Sequence, residues 1–258
     1  MPAGLWGAKG VGVDCTLFKQ LVELSTRFKV KGRALMLGRQ TFKIEPQFKM
    51  QYEAALKAAG IDRSRFSYLQ DDGFSEKLFG DLGLGEIETL DISDFEGATI
   101  LQDLNRPVPK KLHGKFDFIF DGGTIEHVFN TPMALTNMFN MLRVGGRFVS
   151  ANGMNGWVGH GMYQFNPELV WTFWRRSCNC TVHSCIGLPK IPGGADPLIF
   201  PDPAEKGKRL RLKGKVPAGR VYLYYEVEKT RDSSLSSLTF QSDYVAKWEI
   251  HDKSEVVA

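Results

Sequence analysis

The chain has 258 residues, a formal net charge of +4, 43% hydrophobic and 24% charged residues. That composition fills a core of ordinary size, and so small a charge does not argue for nucleic acid as a partner. No run of about eighteen apolar residues occurs, which excludes a membrane-spanning helix, and MPAGLWGAKGVGVDC has no charged start followed by an apolar stretch, so no secretory signal is expected. The expectation is one soluble, cytoplasmic domain over 1–258, with an N-terminal helix at 13–30, an insertion at 189–219 and a polar tail at 230–258.

In chain order, Val13 to Phe28 carries Leu17, Leu21, Val22 and Leu24 at helical spacing, with Asp14 at its start. ALMLG is a short apolar run closing on Gly38, the pattern of a first buried parallel strand. Pro46 to Ala59 is helical in composition and stops at Gly60. Ser75 to Leu82 reads as a short helix with Ser75 as N-cap. IETLDIS and ATILQDL are the second and third strands, FDFIFDGG the fourth, TPMALTNMFNMLRV a helix and GGRFVSAN the fifth strand. NPELVWTFWRR is a further helix, with Trp171, Phe173 and Trp174 at core spacing, and NCTVHSCIGL and VYLYYEVEKT are two last strands. Between these lies a Pro/Gly-rich, basic insertion. Its Lys206, Lys208, Arg209, Arg211, Lys213 and Lys215 read as a solvated face.

Strands alternating with helices imply an α/β fold: a mostly parallel, doubly wound sheet of about seven strands, an antiparallel edge and helices on both faces. Such sheets bind ligands outside the carboxyl ends of their strands. Gly38, Asp91, Asp103 and Asp121 fall at that rim, four strand ends in succession closing on glycine or a carboxylate. Asp91, at the end of the second strand, suits a ribose diol, and Asp103 with the backbone of Leu104 suits an adenine edge. Asp121 followed by Gly122 and Gly123 forms a small, polar lip that lets backbone approach a ligand closely. Cys178, Cys180, His183 and Cys185 invite a zinc reading, but on a strand the first two face away from the last two, so no metal site is expected and the thiols are read as reduced.

FDFIFDGGTIEHVFNTPMALTNMFNMLRVGGRFV, with its Glu126–His127 pair and Gly145–Gly146 turn, resembles the fourth strand, helix and fifth strand of class I S-adenosylmethionine-dependent methyltransferases. ETLDIS and ILQDLNRPVP are similar to the ribose- and adenine-binding segments of that family, and the resemblance spans Ala34 to Arg175. It implies S-adenosylmethionine as cofactor, held by Gly38, Arg39, Gln40, Asp91, Asp103, Leu104, Asp121 and Gly122, and methyl transfer to an oxygen or nitrogen of a small molecule or sugar-like metabolite. His160 and His127 are the candidate bases, Glu126 orients a neighbour or balances the sulfonium, and Trp157, Tyr163 and Gln164 belong to a substrate-facing loop. Structural roles for His127 and Glu126, as a cap and a surface carboxylate, stay open beside these. Nucleic acid is disfavoured as substrate because no basic stripe or dedicated module is present.

One segment departs from the family pattern. In Met36-Leu37-Gly38-Arg39-Gln40-Thr41-Phe42, Met36 replaces an acid, and Gln40 and Phe42 stand where glycines are usual. Arg39 or Gln40 then has to supply contacts that glycines no longer give, Arg39 by pairing with the cofactor carboxylate. The competing reading is a catalytically silent methyltransferase-like binding domain. A nicotinamide enzyme needs G-x-G-x-x-G after the first strand, and GRQTFK does not provide it.

Overall fold

The computed structural model describes residues 12–65, 68–206, 209–236 and 239–248, apart from 242, 243 and 246. Strands β1 (Arg33–Leu37), β2 (Ile87–Asp91), β3 (Ile100–Leu101), β4 (Phe116–Asp121), β5 (Leu142–Asn155), β6 (Thr181–Pro189), β7 (Leu198–Ile199) and β8 (Val221–Glu228) form one sheet in the order β3-β2-β1-β4-β5-β8-β6-β7. The first five of that order are parallel, while β8 runs antiparallel to both β5 and β6. This is the doubly wound sheet with an antiparallel edge that the alternation of elements implies. It has one strand more than expected, because the insertion contributes the two-residue β7 at the outer edge.

The two-residue period of the strands sorts their side chains onto two cores. Ala34, Met36, Phe118 and Phe120 face one layer, with α1 (Cys15–Arg27), α2 (Lys49–Ala58) and α3 (Glu76–Asp81) packed on it. Leu35, Leu37, Ile119 and Phe148 face the other, covered by α4 (Thr131–Met141) and by α5 (Pro167–Leu169), which continues as a π-helix over Val170–Ser177. Helix α1 begins where the sequence suggests: the Asp14 carboxylate accepts from the Leu17 N–H at 3.0 Å. Ser75 does sit at the N-cap of α3, but its hydroxyl makes no capping bond and turns instead toward the Met36 sulfur at 3.8 Å.

Two sequence expectations need correction. ATILQDL pairs only through Ile100 and Leu101, and the chain leaves the sheet before Asp103. Cys178 and Cys180 are not on a strand: Cys178 caps the π-helix, Asn179 takes a positive φ of 50° and β6 starts only at Thr181. The four cysteines are free and buried, and burial pushes the Cys178, Cys180 and Cys185 thiols up, so they are packing groups here. His183 lies at a register shift on β6 and pairs with Glu228 at 2.8 Å. The start of the polar tail runs along the end of the π-helix, Ser234 and Ser236 donating to the carbonyls of Cys178 and Ser177; its last residues, 249–258, lie outside the described part, as does Lys208 of the basic cluster. No described helix is long and apolar enough to cross a membrane.

The antiparallel edge is locked by a buried carboxylate. Glu226 on β8 is fully buried and takes both guanidinium nitrogens of Arg27 at 2.8 and 2.6 Å, with Arg147 of β5 at 3.3 Å. Helix α1 and two strands thus share one charge. Glu226→Ala is expected to lower stability by about 3 kcal/mol, the low end for breaking a buried pair, since half-exposed Arg27 turns into water while Arg147 stays covered. Urea denaturation measures this.

Candidate functional site

A cavity of about 690 Å³ opens at the carboxyl ends of β1, β2 and β4. Gly38, Asp91, Asp103, Leu104 and Gly122 line it together with His127, Trp157 and His160. Of the residues expected at the site, Arg39, Gln40 and Glu126 also reach this cavity. Asp121, Tyr163 and Gln164 are not among its lining.

The first-strand turn is narrow. Gly38 has φ +63°, and a Cβ there would meet Thr124 Oγ1 at 2.8 Å, so only glycine fits. The Gln40 amide lies across the strand ends, donating to the Leu37 carbonyl at 3.1 Å and to Thr124 Oγ1 at 3.4 Å. Met36, where the family pattern has an acid, offers its sulfur to the Gln40 N–H at 3.2 Å. Each nitrogen of the Arg39 guanidinium donates to a protein acceptor: Glu76, Asp72 and the Glu96 carbonyl. Its plane covers the Phe74 ring at 3.9 Å. Arg39 therefore braces the rim as well as lining it.

Asp91 accepts from the Ile92 N–H at 2.6 Å through one carboxylate oxygen. Asp103 accepts from the backbone and side chain of Asn105, both at 2.9 Å, which holds its carboxyl below the usual carboxylate range.

Asp121 works from behind the lip. It is completely buried and accepts four hydrogen bonds: from the N–H groups of Thr124 at 2.8 Å and Ile125 at 3.3 Å, and from Ser150 Oγ at 2.9 Å and Asn152 Nδ2 at 2.6 Å. Burial pushes its pKa up and the four donors oppose that shift. Asn152 in turn accepts the Glu126 N–H at 3.2 Å.

Glu126 sits in a socket made for it. Oε2 accepts the Gly153 N–H at 2.5 Å, and the Glu126 carbonyl accepts from the N–H groups of Met162 at 2.9 Å and Tyr163 at 3.2 Å. Cβ atoms on Gly153 and Gly161 would lie 3.0 and 3.2 Å from the Glu126 side chain, so glycines on both sides permit this approach. Oε1 points to His160 Nε2 at 3.1 Å and His127 Nε2 at 3.8 Å. Burial pushes Glu126 up to about 7, aided by Asp121, whereas burial and the nearby His127, Arg220 and Lys190 push His160 down. Among the described residues, Glu126, His127 and His160 are the one group of three or more His, Cys, Asp or Glu side chains whose ligand atoms lie close together, within 4.8 Å. The sequence reading named all three as catalytic candidates, His127 and His160 as alternative bases on separate segments, and did not see their donors converge.

Trp157 borders the cavity with its ring 4.9 Å from His160, its Nε1 donating to the Val221 carbonyl. Tyr163 donates to the Phe129 carbonyl and Gln164 accepts the Trp157 N–H at 3.0 Å, so both shape the loop behind the wall. Sequence reasoning missed Thr124, Lys190, Arg220 and Tyr222, which also line the cavity. Lys190 and Arg220 are the two roots of the insertion, joined by the Lys190 N–H to Arg220 carbonyl bond at 2.9 Å. Only the sheet pairing of β6 and β8 reveals that.

Asp121→Ala strands three protein donors and a hydroxyl in the core. It is expected to lower stability by about 3–5 kcal/mol, with Ser150→Ala costing only about 1 kcal/mol, both measured by chemical denaturation.

No family model and no curated protein matches this chain. Among solved structures, the 1,6-didemethyltoxoflavin-N1-methyltransferase of Burkholderia thailandensis, crystallised with 1,6-didemethyltoxoflavin and S-adenosylhomocysteine, is similar over 83% of this chain and 76% of its own, at 13% identity and a TM-score of 0.42. The MccD protein is similar over 83% and 97%, at 12% identity and a TM-score of 0.38. The 16S rRNA (adenine(1408)-N(1))-methyltransferase of Catenulisporales acidiphilia is similar over 89% and 98%, at 13% identity and a TM-score of 0.36. These distant likenesses concern overall shape alone. The chain's own strand order and strand directions make it a Rossmann-like, doubly wound α/β protein with an antiparallel edge.

Proposed function

We propose that this protein is an S-adenosylmethionine-dependent methyltransferase acting on an oxygen or nitrogen of a small molecule. The observation that carries this reading is the single cavity in which the ends of β1, β2 and β4 and the chain just past β3 face Glu126, His127 and His160. Asp91 would receive the ribose hydroxyls, Asp103 and the Leu104 N–H the adenine edge, and Gly38 with Gln40 the amino-acid part of the cofactor. Asp121 and Gly122 shape the lip between cofactor and acceptor. When bound, the cofactor supplies an already activated methyl group, so the protein's work is alignment and exclusion of water. Half-exposed His160, held near the Glu126 carboxylate, is placed to take a proton from the acceptor, with His127 beside it at a ring-to-ring distance of 5.3 Å. Trp157 and Tyr222 wall the acceptor side.

The fold does not choose the acceptor class, since the solved neighbours include enzymes named for a small heterocycle and for ribosomal RNA. The preference for a small molecule rests on the aromatic wall of Trp157 and Tyr222 at the cavity and on the modest net charge. A silent binding domain has one specific observation in its favour: the Gln40 amide occupies the space over Gly38 and Gly122 that a glycine would leave open.

Calorimetric titration with S-adenosylmethionine and S-adenosylhomocysteine separates the two readings. Micromolar binding is expected, weakened on the order of tenfold to a hundredfold by Asp91→Ala through loss of charge-assisted hydrogen bonds. No heat and no thermal shift at millimolar ligand would instead establish the silent domain.

A further inference from the structure

The Glu126 socket is more elaborate than a base and its orienting carboxylate require. The carboxylate is almost wholly buried, and one oxygen is pinned by the Gly153 N–H. The other is left facing two imidazole nitrogens, at 3.1 and 3.8 Å. The loop bearing His160 is fastened to the Glu126 carbonyl through Met162 and Tyr163, with Gly161 lying against the Glu126 backbone and side chain. Three donors from two separate segments thereby converge in one corner of the cavity, Glu126 and the His160 loop anchored and His127 half-exposed beside them. Donor atoms sharing a tetrahedral ion at about 2.0–2.2 Å lie roughly 3.3–3.6 Å apart. Glu126 Oε1 and His160 Nε2 already stand near that spacing at 3.1 Å, and half-exposed His127 turns to close the third side, all three atoms lying within 4.8 Å of one another.

We propose that Glu126 Oε1, His127 Nε2 and His160 Nε2 form a binding site for one divalent transition-metal ion. Two imidazoles and one carboxylate favour zinc, iron(II), manganese or cobalt over magnesium or calcium, which prefer all-oxygen shells. All three residues line the cavity, so the remaining coordination positions open into it, the arrangement of a catalytic rather than a structural ion. The site stands without the methyl donor. What it adds for catalysis rests on the methyltransferase reading: the acceptor would carry an oxygen able to bind the ion, and His160 would serve as ligand in place of base. Arg220, over the Trp157 ring at 4.7 Å, and Lys190, paired with Asp14 at 3.0 Å, border the same space and favour an acceptor with an anionic group. Neither pairs with Glu126, whose free oxygen faces the imidazoles.

The test uses the full chain without an affinity tag, stripped with chelator and titrated with zinc, manganese, cobalt and magnesium ions in turn. The expected result is one zinc or cobalt ion per chain, with the cobalt form showing the visible absorption of a low-coordinate site. His127→Ala and His160→Ala should each weaken binding at least about a hundredfold, as should Glu126→Gln, while His183→Ala, on the far β6–β8 edge, should change nothing. His127 and His160 are half-exposed, so these truncations leave the core intact. Absence of zinc or cobalt binding at millimolar concentration, or binding that survives His127→Ala combined with His160→Ala, would overturn the proposal. Parallel S-adenosylmethionine titrations keep the two readings apart: metal binding without cofactor binding defeats only the methyltransferase, and cofactor binding without metal binding defeats only the ion site.

Discussion

A single buried carboxylate sets the geometry of this protein's functional rim. Asp121 ends β4 inside the sheet and gathers donors from the lip that follows it and from β5 beside it. Because those donors sit on different segments, the lip cannot shift without breaking bonds in the core. The position of Glu126 follows, since its N–H is held by Asn152 and its carboxylate by Gly153, both on the same β5 strand. His160 then follows from Glu126. The chain of consequence runs from a core hydrogen-bond network to a cavity wall, through backbone contacts at each step.

Such a network explains how a rim with so few free parts is held. Burying an ion is costly unless donors surround it, and Asp121 is surrounded. Glu126 is less fully compensated, having one strong backbone donor and an apolar wall of Trp157 and Tyr222 nearby. Burial pushes both carboxyls up, against four donors at Asp121 and one backbone donor at Glu126.

The fold was legible because its signals are periodic. Leu17, Leu21 and Leu24 mark a helix, and FDFIFD places Phe118 and Phe120 on one core and Ile119 on the other. The end of β3 was not legible, because Gln102 to Leu104 stays extended in composition while its partner β2 has already run out of pairing residues. Cys178 and Cys180 misled for a similar reason: a positive φ at Asn179 breaks an apolar run that reads as continuous strand. Of the residues lining the cavity, Asp91, Asp103, His127 and His160 were expected from strand ends and loop composition. Lys190 and Arg220 were not, because they lie thirty positions apart in the chain and only the pairing of β6 with β8 brings them together.

That last pairing has a consequence for how the protein can change. The loop between Lys190 and Arg220 is closed at its base by the Lys190 N–H to Arg220 carbonyl bond, and its own β7 rejoins the sheet beside β6. The entropy of closing such a loop grows only slowly with its length. Changes of length and chemistry in that loop can therefore be accommodated at small entropic cost wherever they keep β7, the buried Phe200 and the Asp202–Arg176 pair. Lineages could vary what reaches the mouth of the cavity while inheriting its floor unchanged.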